Sequence, residues 1–310
     1  MASYIYVLLA GRAGNQLFQI AAGEYSLFHS ASPGRKLGFI VSKDTPKTFL
    51  EIQQSVVRVS VLTSKLLNYL LSRGVQKQSK RWPILFRAVK LVCKCSLAIE
   101  LRTLKIDLRV ARSVNATPDF NKLKQRITVY VGYFQNYYWQ SLESHMQKQM
   151  SKYVKSSSAQ MMPKSISNRN SVVVHLRRTD YAFNPELGLL SDEFYQSALD
   201  YVSELIGPPD IHILTDDKEF EAQDFVKKSL VHAVFTPEKM SDLESFEFMR
   251  RASNLLISNS SFAWWAAYLQ YGQYPERLVL FPYPWFRTTE GLRDFPQSWI
   301  GIQSFWTDNL

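Results

Sequence analysis

The chain has 310 residues, of which 46% are apolar and 21% charged, and its formal net charge is +10. This composition excludes a disordered chain and supplies enough apolar surface for a sizeable core, and the length suits two domains of roughly 150 residues each. The two cysteines, Cys93 and Cys95, have no histidine near them, so neither a disulfide framework nor a zinc site is expected.

The positive charge is concentrated in one segment. Residues 61–112 contain twelve Lys and Arg against two acids, Glu100 and Asp107, and the difference of ten equals the net charge of the whole chain. The rest of the chain is neutral on balance, which argues against a general polyanion binder and for one basic face. The segment holds no familiar nucleic-acid motif, so a nucleic-acid partner is not expected.

The chain opens with a predicted strand, glycine turn and helix. Residues 4–10 form an apolar run, GRAGNQ follows at 11–16, and residues 16–28 have helical spacing. Gly11 and Gly14 would allow a tight turn and a close backbone approach to a ligand, although the third glycine of the dinucleotide fingerprint is missing. Asn15 then stands at the helix start, where it either caps the helix or belongs to a site.

Two apolar helical segments are predicted within the basic region, at residues 61–71 and 82–99. In the second, Arg87, Lys90 and Lys94 recur every three or four residues and share one face. Such a helix either lies on an anionic membrane surface or exposes an ordinary solvated basic face, and its three charges argue against a membrane span. The first residues lack the pattern of a secretion signal. The expected location is therefore cytoplasmic, with peripheral contact to the inner membrane face through residues 61–112 left open.

An aromatic cluster follows the predicted strand at residues 127–132. It includes Tyr133 and Phe134, with Gln135 next to them, and its rings either face a sugar or pack between elements. A polar helix is predicted at residues 140–155. Residues 156–170 are rich in Ser and Asn and predict a linker between a first domain at 1–155 and a second at 171–310.

The second half alternates strands and helices. Strands are predicted at residues 172–175, 211–214, 231–235, 255–257 and 278–281, and helices at 191–205, 217–227, 242–251 and after 261. This rhythm predicts a parallel sheet with helices on both sides. The tail after residue 282, rich in Pro and Trp, predicts a packed irregular segment with short helical turns.

Three of these strands end in polar loops, which would share one edge of a parallel sheet. The first loop carries Arg177 and Arg178, which we interpret as anion ligands because a guanidinium can hold a phosphate through two parallel hydrogen bonds. The alternative is an internal ion pair with Asp180 that fixes the loop.

The other two loops carry small polar and acidic residues. Ser260 and Ser261 stand at a helix start, where they either bind a phosphate or act as caps. Asp216 and Asp217 are adjacent carboxylates at another helix start, where caps or contacts to a base are favoured over a metal.

Five segments of the chain resemble the α-1,2-fucosyltransferases, the glycosyltransferase family 11 type that includes bacterial lipopolysaccharide and blood-group H enzymes. They are GRAGNQLFQIAA at 11–22, VGYFQNYYW at 131–139, VVVHLRRTDY at 172–181, ILTDD at 213–217 and LISNSSFAWWAAYL at 256–269, in the order of the family. The departures, Ala13, Thr179 and Ala263, concern substrate detail rather than class.

The resemblance implies an α/β fold of two Rossmann-like domains facing a cleft, the GT-B type, with the first on the acceptor side and the second binding the donor. It implies inverting transfer of L-fucose from GDP-fucose to the 2-hydroxyl of a terminal galactose on a glycan, either free or lipid-linked. No metal or other cofactor is expected, because an arginine pair can replace the cation. The alternatives are an inactive nucleotide-sugar-binding protein and a fucosyltransferase of different linkage.

The resemblance also implies roles for single residues. Arg177, Arg178 or both would bind the β-phosphate of the donor. Asn15 would orient the reacting groups, as in the GRxGNQ element of related protein fucosyltransferases. His175 and Asp180 are candidates for the general base. The residues assigned to donor binding are Arg12, Gly14, Asp216, Asp217, Asn259, Ser260 and Ser261. The residues assigned to acceptor binding are Tyr133, Phe134 and Gln135.

Overall fold

The structure is a computed structural model, which describes residues 3–30, 32, 34–75, 83–103, 105–119, 125–155, 166, 168–220, 231–236, 238–270, 277–288 and 292–307. The chain divides into two compact units, Met1–Val154 and Lys155–Leu310. Each unit contains a parallel sheet with helices around it. The predicted α/β class with two parallel-sheet domains is therefore confirmed.

The first unit contains a five-stranded sheet in the part of the chain that is described. In chain order its elements are β1 (Tyr4–Leu9), α1 (Ala13–Phe28), β2 (Lys36–Val41), β3 (Ser55–Arg58), α2 (Val61–Val75), α3 (Pro83–Glu100), β4 (Ile106–Val110), β5 (Ile127–Val131), a 3-10 turn (Gln140–Leu142) and α4 (Glu143–Ser151). The strand order is β3-β2-β1-β5-β4, and the neighbours are parallel.

The central strands of this sheet are continuous apolar runs because both of their faces are covered. In β5 all five residues are buried, and in β1 all but the first. On one face, α2 and α3 place Leu67, Leu70 and Leu97 in the core. The order changes direction between β1 and β5, so the loops that follow these two strands meet at one edge of the sheet.

The second unit contains a six-stranded sheet among the described residues. Its elements are β6 (Ser171–Leu176), a 3-10 turn (Tyr181–Phe183), α5 (Asp192–Ile206), β7 (Asp210–Thr215), β8 (Val231–Phe235), α6 (Asp242–Arg251), β9 (Asn254–Leu256), α7 (Ser261–Tyr268), β10 (Val279–Tyr283) and β11 (Ile300–Gln303). The strand order is β8-β7-β6-β9-β10-β11 with parallel neighbours, which is the 3-2-1-4-5-6 order of dinucleotide-binding folds. Its topological switch point lies between β6 and β9.

The sequence did not predict β3, β4 or β11. The tail was predicted to be irregular, and the part described beyond β10 is so except at β11 and an isolated bridge residue, Trp306. The three strands that were not predicted are all edge strands. An edge strand has one neighbour and a partly exposed face, so its apolar pattern is weak and only pairing with β2, β5 or β10 defines it.

Two other boundaries differ from expectation. The first helix begins at Ala13, with Arg12 as its N-cap, so Gly14 and Asn15 lie inside α1 rather than in the turn before it. The polar helix after residue 140 ends at Ser151. The predicted linker at 156–170 lies outside the described residues except at 166 and 168–170. Residues 221–227 of the predicted helix at 217–227 also lie outside them.

Candidate functional site

The predicted arginines lie in the loop after β6, at the switch point of the second sheet. Arg177 Nη2 donates to Asp180 Oδ2 at 2.8 Å, and its Nη1 lies 3.0 Å from Asp216 Oδ2. Arg178 forms an ion pair with Asp192, which opens α5. Both arginines thus lie at the carboxyl end of β6, at the switch point, and both guanidinium groups contact carboxylates.

These carboxylates differ in how solvated they are. The side chains of Asp180 and Asp192 are 49% and 55% exposed, whereas that of Asp216 is 15% exposed. The sequence-based alternative, an ion pair between Arg177 and Asp180, is present in the structure. Asp180 is about half exposed, so water can solvate this carboxylate if another anion takes its place on Arg177.

Asp216 holds the arginine loop from the neighbouring strand. Its Oδ1 accepts from the backbone N–H of Arg178 at 2.7 Å, and its Oδ2 accepts from Thr179 Oγ1 at 2.6 Å. Burial alone would raise the pKa of Asp216, but Arg177, Thr179 and the Arg178 N–H outweigh it and hold the pKa below its ordinary value. Asp216 therefore stays ionised and holds the loop in place. The contact of Asp216 with a base stays a prediction.

Two ring contacts steady the same arginines. The Arg178 guanidinium carbon lies 4.9 Å from the centre of the Phe220 ring, and that of Arg177 lies 5.8 Å from the Tyr181 ring. The Tyr181 hydroxyl donates to the backbone oxygen of Asn259 at 2.9 Å, so the loop after β6 is tied to the loop after β9. Tyr181 was quoted in the motif but not predicted as a site residue.

His175 lies near the end of β6, two residues before Arg177, and is buried. Its buried ring hydrogen-bonds through Nδ1 to Ser258 Oγ at 2.8 Å. Burial, assisted by the nearby Arg177, lowers the pKa of His175 to about 4. His175 is therefore neutral at physiological pH and a weak base.

The remaining predicted residues of the second unit have structural contacts. Asn259 Nδ2 donates to the backbone oxygens of Leu187 and Gly188 at 3.2 and 3.1 Å. Ser260 is the N-cap of α7 and Ser261 its first residue. Asp217 Oδ1 accepts from the Glu219 N–H at 3.0 Å, a turn contact in the loop after β7.

A second polar cluster lies at the switch point of the first unit. Asn15 Oδ1 accepts from Gln135 Nε2 at 2.7 Å, which joins two predicted site residues 120 positions apart. Gly11 has φ of 73°, and a Cβ added to it would lie 2.4 Å from Asn15 Nδ2. Only glycine therefore lets the chain turn here with the Asn15 amide packed over it.

Two glutamines on α1 that were not predicted support this cluster. Gln16 Nε2 donates to the Gly11 oxygen at 2.9 Å, and Gln19 joins the Ala10 N–H at 2.8 Å to the Gly132 oxygen at 3.1 Å. The amides thus link the ends of β1 and β5. The sequence signal for this role was the presence of two glutamines in the otherwise apolar run QLFQIAA after GRAGN, because buried amides need hydrogen-bond partners.

The predicted acceptor residues are largely buried within the first unit. Phe134 and Gln135 are buried, and Tyr133 is half-buried against the core. The Phe134 ring packs edge-on to Tyr130 at 6.1 Å between centroids. These contacts correspond to the alternative in which the aromatic rings pack between elements of the first unit. Arg12 is exposed, and Gly14 is buried in α1.

Neither a metal cluster nor a membrane-spanning helix occurs in the described part of the chain. No group of three or more His, Cys, Asp and Glu is arranged to hold a metal ion there. None of the helices described combines the length and the apolar character that crossing a bilayer requires.

Together these features define a two-unit α/β protein whose second unit has the strand order of dinucleotide-binding folds and an arginine loop at its switch point. The family model for glycosyl transferase family 11 matches residues 4–302. The chain belongs to glycosyl transferase family 11.

Two curated relatives come from Escherichia coli. The O-antigen biosynthesis glycosyltransferase WbnK is 28% identical over 140 residues, which are 44% of this chain and 45% of the relative. An alpha-1,2-colitosyltransferase is 30% identical over 145 residues, 43% of this chain and 48% of the relative. The match thus spans about half the length of each relative.

Two solved structures show distant likeness. The structure of POFUT1 in complex with GDP has a TM-score of 0.45 and 16% identity, covering 90% of this chain and 98% of that one. The heptosyltransferase WaaC of E. coli with ADP-2-deoxy-2-fluoro heptose has a TM-score of 0.44 and 11% identity, covering 96% and 92%.

Proposed function

We propose that this protein transfers L-fucose from GDP-fucose to the 2-hydroxyl of a terminal galactose on a glycan, with inversion at the anomeric carbon. Membership of family 11 and the five motifs support a sugar transfer of this type. The observation that carries the proposal is the pair Arg177 and Arg178 at the switch point of a dinucleotide-type sheet.

The reaction needs positive charge where the donor breaks. The bond between the anomeric carbon and the β-phosphate oxygen breaks with its electron pair going to GDP, and a bond forms to the acceptor oxygen, which loses its proton. Negative charge on the phosphate therefore grows in the transition state. Fixed guanidinium groups stabilise that charge more than they stabilise the bound donor, and this difference lowers the barrier.

The carboxylates around the arginines set a condition on donor binding. Two guanidiniums face Asp180, Asp192 and Asp216, so the cluster carries no excess of positive charge. A diphosphate must displace the two solvated carboxylates, whereas Asp216 keeps the loop in place. Displacement is feasible because the carboxylates of Asp180 and Asp192 are about half exposed, so water can solvate them once they leave the arginines.

The acceptor hydroxyl must also lose its proton. The depressed pKa and burial of His175 make it a poor acceptor for the hydroxyl proton. Asp180 and the departing phosphate remain the two candidates, and an oxocarbenium-like path needs proton removal only late. In the first unit, Asn15 would orient the reacting groups, a role that rests on the family resemblance.

A donor screen tests the proposal. The purified protein is incubated with GDP-fucose, other GDP-sugars and UDP-sugars, GDP release is measured, and products on galactose-terminated acceptors are analysed for linkage by NMR. We expect GDP-fucose turnover and an α-1,2 product. Protection of the protein against melting by GDP without any transfer would instead identify an inactive nucleotide-sugar-binding protein, and another linkage would correct the acceptor assignment.

Colitose is a second candidate for the transferred sugar. The relative that is 30% identical over 145 residues is named an alpha-1,2-colitosyltransferase. Colitose resembles fucose but lacks one ring hydroxyl. The GDP derivatives of both sugars therefore belong in the screen, and the higher kcat/KM decides between them.

A further inference from the structure

The outer face of α3 is apolar although it faces solvent. The helix turns Cys93 and Leu97 into the core of the first unit. On the opposite side, Ile84, Leu91 and Ile99 are 81%, 62% and 79% exposed. Leu85 and Val92 are also among the exposed large apolar residues, and these five side chains form what we call the outer stripe.

Helical geometry puts these residues on one continuous surface. Positions 84, 91 and 99 are separated by seven and eight residues, so they repeat on one side of the helix, and 85 and 92 lie next to them. The 18 residues of α3 extend over about 27 Å. The stripe is thus a long apolar surface rather than a single exposed side chain, and such surfaces mark interaction sites.

A row of cations borders the stripe. Arg87 and Lys94 are exposed and seven residues apart along one flank. Burial lowers the pKa of Lys90, and the nearby cations Arg112, Lys94 and Arg109 lower it further, against Asp107, which raises it. Arg87, Lys90 and Lys94 therefore make this flank basic.

The acid on α3 is directed away from this surface. Glu100 accepts a hydrogen bond from Ser60 Oγ at 2.7 Å and caps the start of α2. That start also exposes Val61 and Leu62, beside the exposed Lys65. The combination of apolar and basic exposure thus continues from the end of α3 onto α2.

We propose that the outer stripe of α3 lies on an anionic lipid bilayer, with its apolar side chains among the acyl chains and its basic flank at the lipid phosphates. An interfacial helix needs this combination of an apolar face and flanking Lys or Arg. A second copy of the chain fits less well because the basic flanks of two copies would repel each other. This membrane contact does not depend on which sugar the protein transfers.

Vesicle flotation tests the contact directly. The protein is mixed with phosphatidylcholine vesicles, or with vesicles that also contain phosphatidylglycerol. We expect binding to the anionic vesicles, weaker binding to neutral ones, and release as salt screens the charges. The variant Leu91→Gln with Ile99→Gln should bind at least about tenfold more weakly, because two large apolar side chains no longer enter the bilayer.

Matched variants separate this surface from general effects. Leu205→Gln replaces an exposed leucine on α5, outside the outer stripe, and should leave binding unchanged. Arg87→Gln with Lys94→Gln should lower binding about thirtyfold, since each basic residue near an anionic surface contributes about 1 kcal/mol and the variant removes two. Lys36→Gln with Lys148→Gln removes the same charge elsewhere on the first unit and should have little effect.

Three results would overturn the proposal. The first is failure of the wild type to float with anionic vesicles, and the second is equal flotation of the Leu91 and Ile99 variant. The third is a concentration-dependent dimer that this variant abolishes, which would assign the stripe to a second copy. If the double variant melts early, Ile84→Gln alone provides the test, because this side chain is the most exposed of the five.

Discussion

Replacing Arg177 with alanine tests the proposed phosphate contact most directly. If this guanidinium stabilises the charge on the departing diphosphate, kcat with GDP-fucose should fall by about 10²–10³, as when other preorganised donors are removed from transition-state anions. Arg177→Lys should give an intermediate loss because lysine keeps the charge but not the two parallel N–H donors. GDP release at saturating donor, measured with and without acceptor, reports both losses.

The structure sets the size of the accompanying stability change. Arg177 contacts the half-exposed Asp180 and the largely buried Asp216. After the substitution Asp216 keeps hydrogen bonds from Thr179 and the Arg178 N–H. We therefore expect a loss of about 1–3 kcal/mol in the free energy of unfolding, which leaves the protein folded at assay temperature. Thermal melting checks this value.

Asp180→Asn is the matched control because it breaks the same ion pair and keeps the guanidinium. If Asp180 competes with the donor phosphate, this variant should have a lower donor KM, by up to a few fold. A loss of kcat with unchanged KM would instead identify Asp180 as the base, and the pH-rate profile would lose its acidic limb. Near-normal turnover of Arg177→Ala would refute the reasoning.

Three further predictions concern contacts of single residues, and a fourth concerns metal ions. His175→Gln should flatten the dependence of stability on pH. The wild type should lose roughly 3 kcal/mol in the free energy of unfolding as pH falls from 6.5 to 4, because the folded state resists protonation of a histidine whose pKa is about 4. Melting curves of both proteins across this range measure the difference. Asp216→Asn should destabilise the fold at pH 7 by about 2–4 kcal/mol, and the difference should shrink below the ordinary aspartate pKa, as melting at low pH would show. Gly11→Ala should lower kcat and stability more than Gly34→Ala. Both glycines have positive φ, but only at Gly11 would the new Cβ displace Asn15. Equal effects of the two substitutions on kcat would contradict a role for the Asn15 amide. Chelation of divalent cations should leave GDP release unchanged, and full dependence on added magnesium or manganese would show that the arginine pair is not sufficient.

Much of the fold could be predicted because its signals are local. The buried strands β1, β5 and β6 are continuous apolar runs, and helices of amphipathic period separate the strands of the second unit. The paired Arg177 and Arg178 also stand out in the sequence, because two adjacent charges directly after a buried strand mark the end of that strand.

Contacts between residues far apart in the chain could not be predicted from the sequence. Asn15 and Gln135 are 120 positions apart, and their hydrogen bond exists because β1 and β5 are neighbours in the sheet. Asp216 has the same explanation: β7 pairs with β6 in parallel, so the residue after β7 reaches the arginine loop and holds it. The sequence therefore could not show that Asp216 supports the arginine loop.

The sequence by itself determined the α/β class, the family motifs and the identity of the charged residues, because these follow from the order and spacing of side chains. Only the tertiary structure decided which face of α3 the core covers and which carboxylate each arginine meets. The physical reason is that periodicity places side chains on a common face of an element, whereas the neighbours of that face are chosen by the packing of the whole unit.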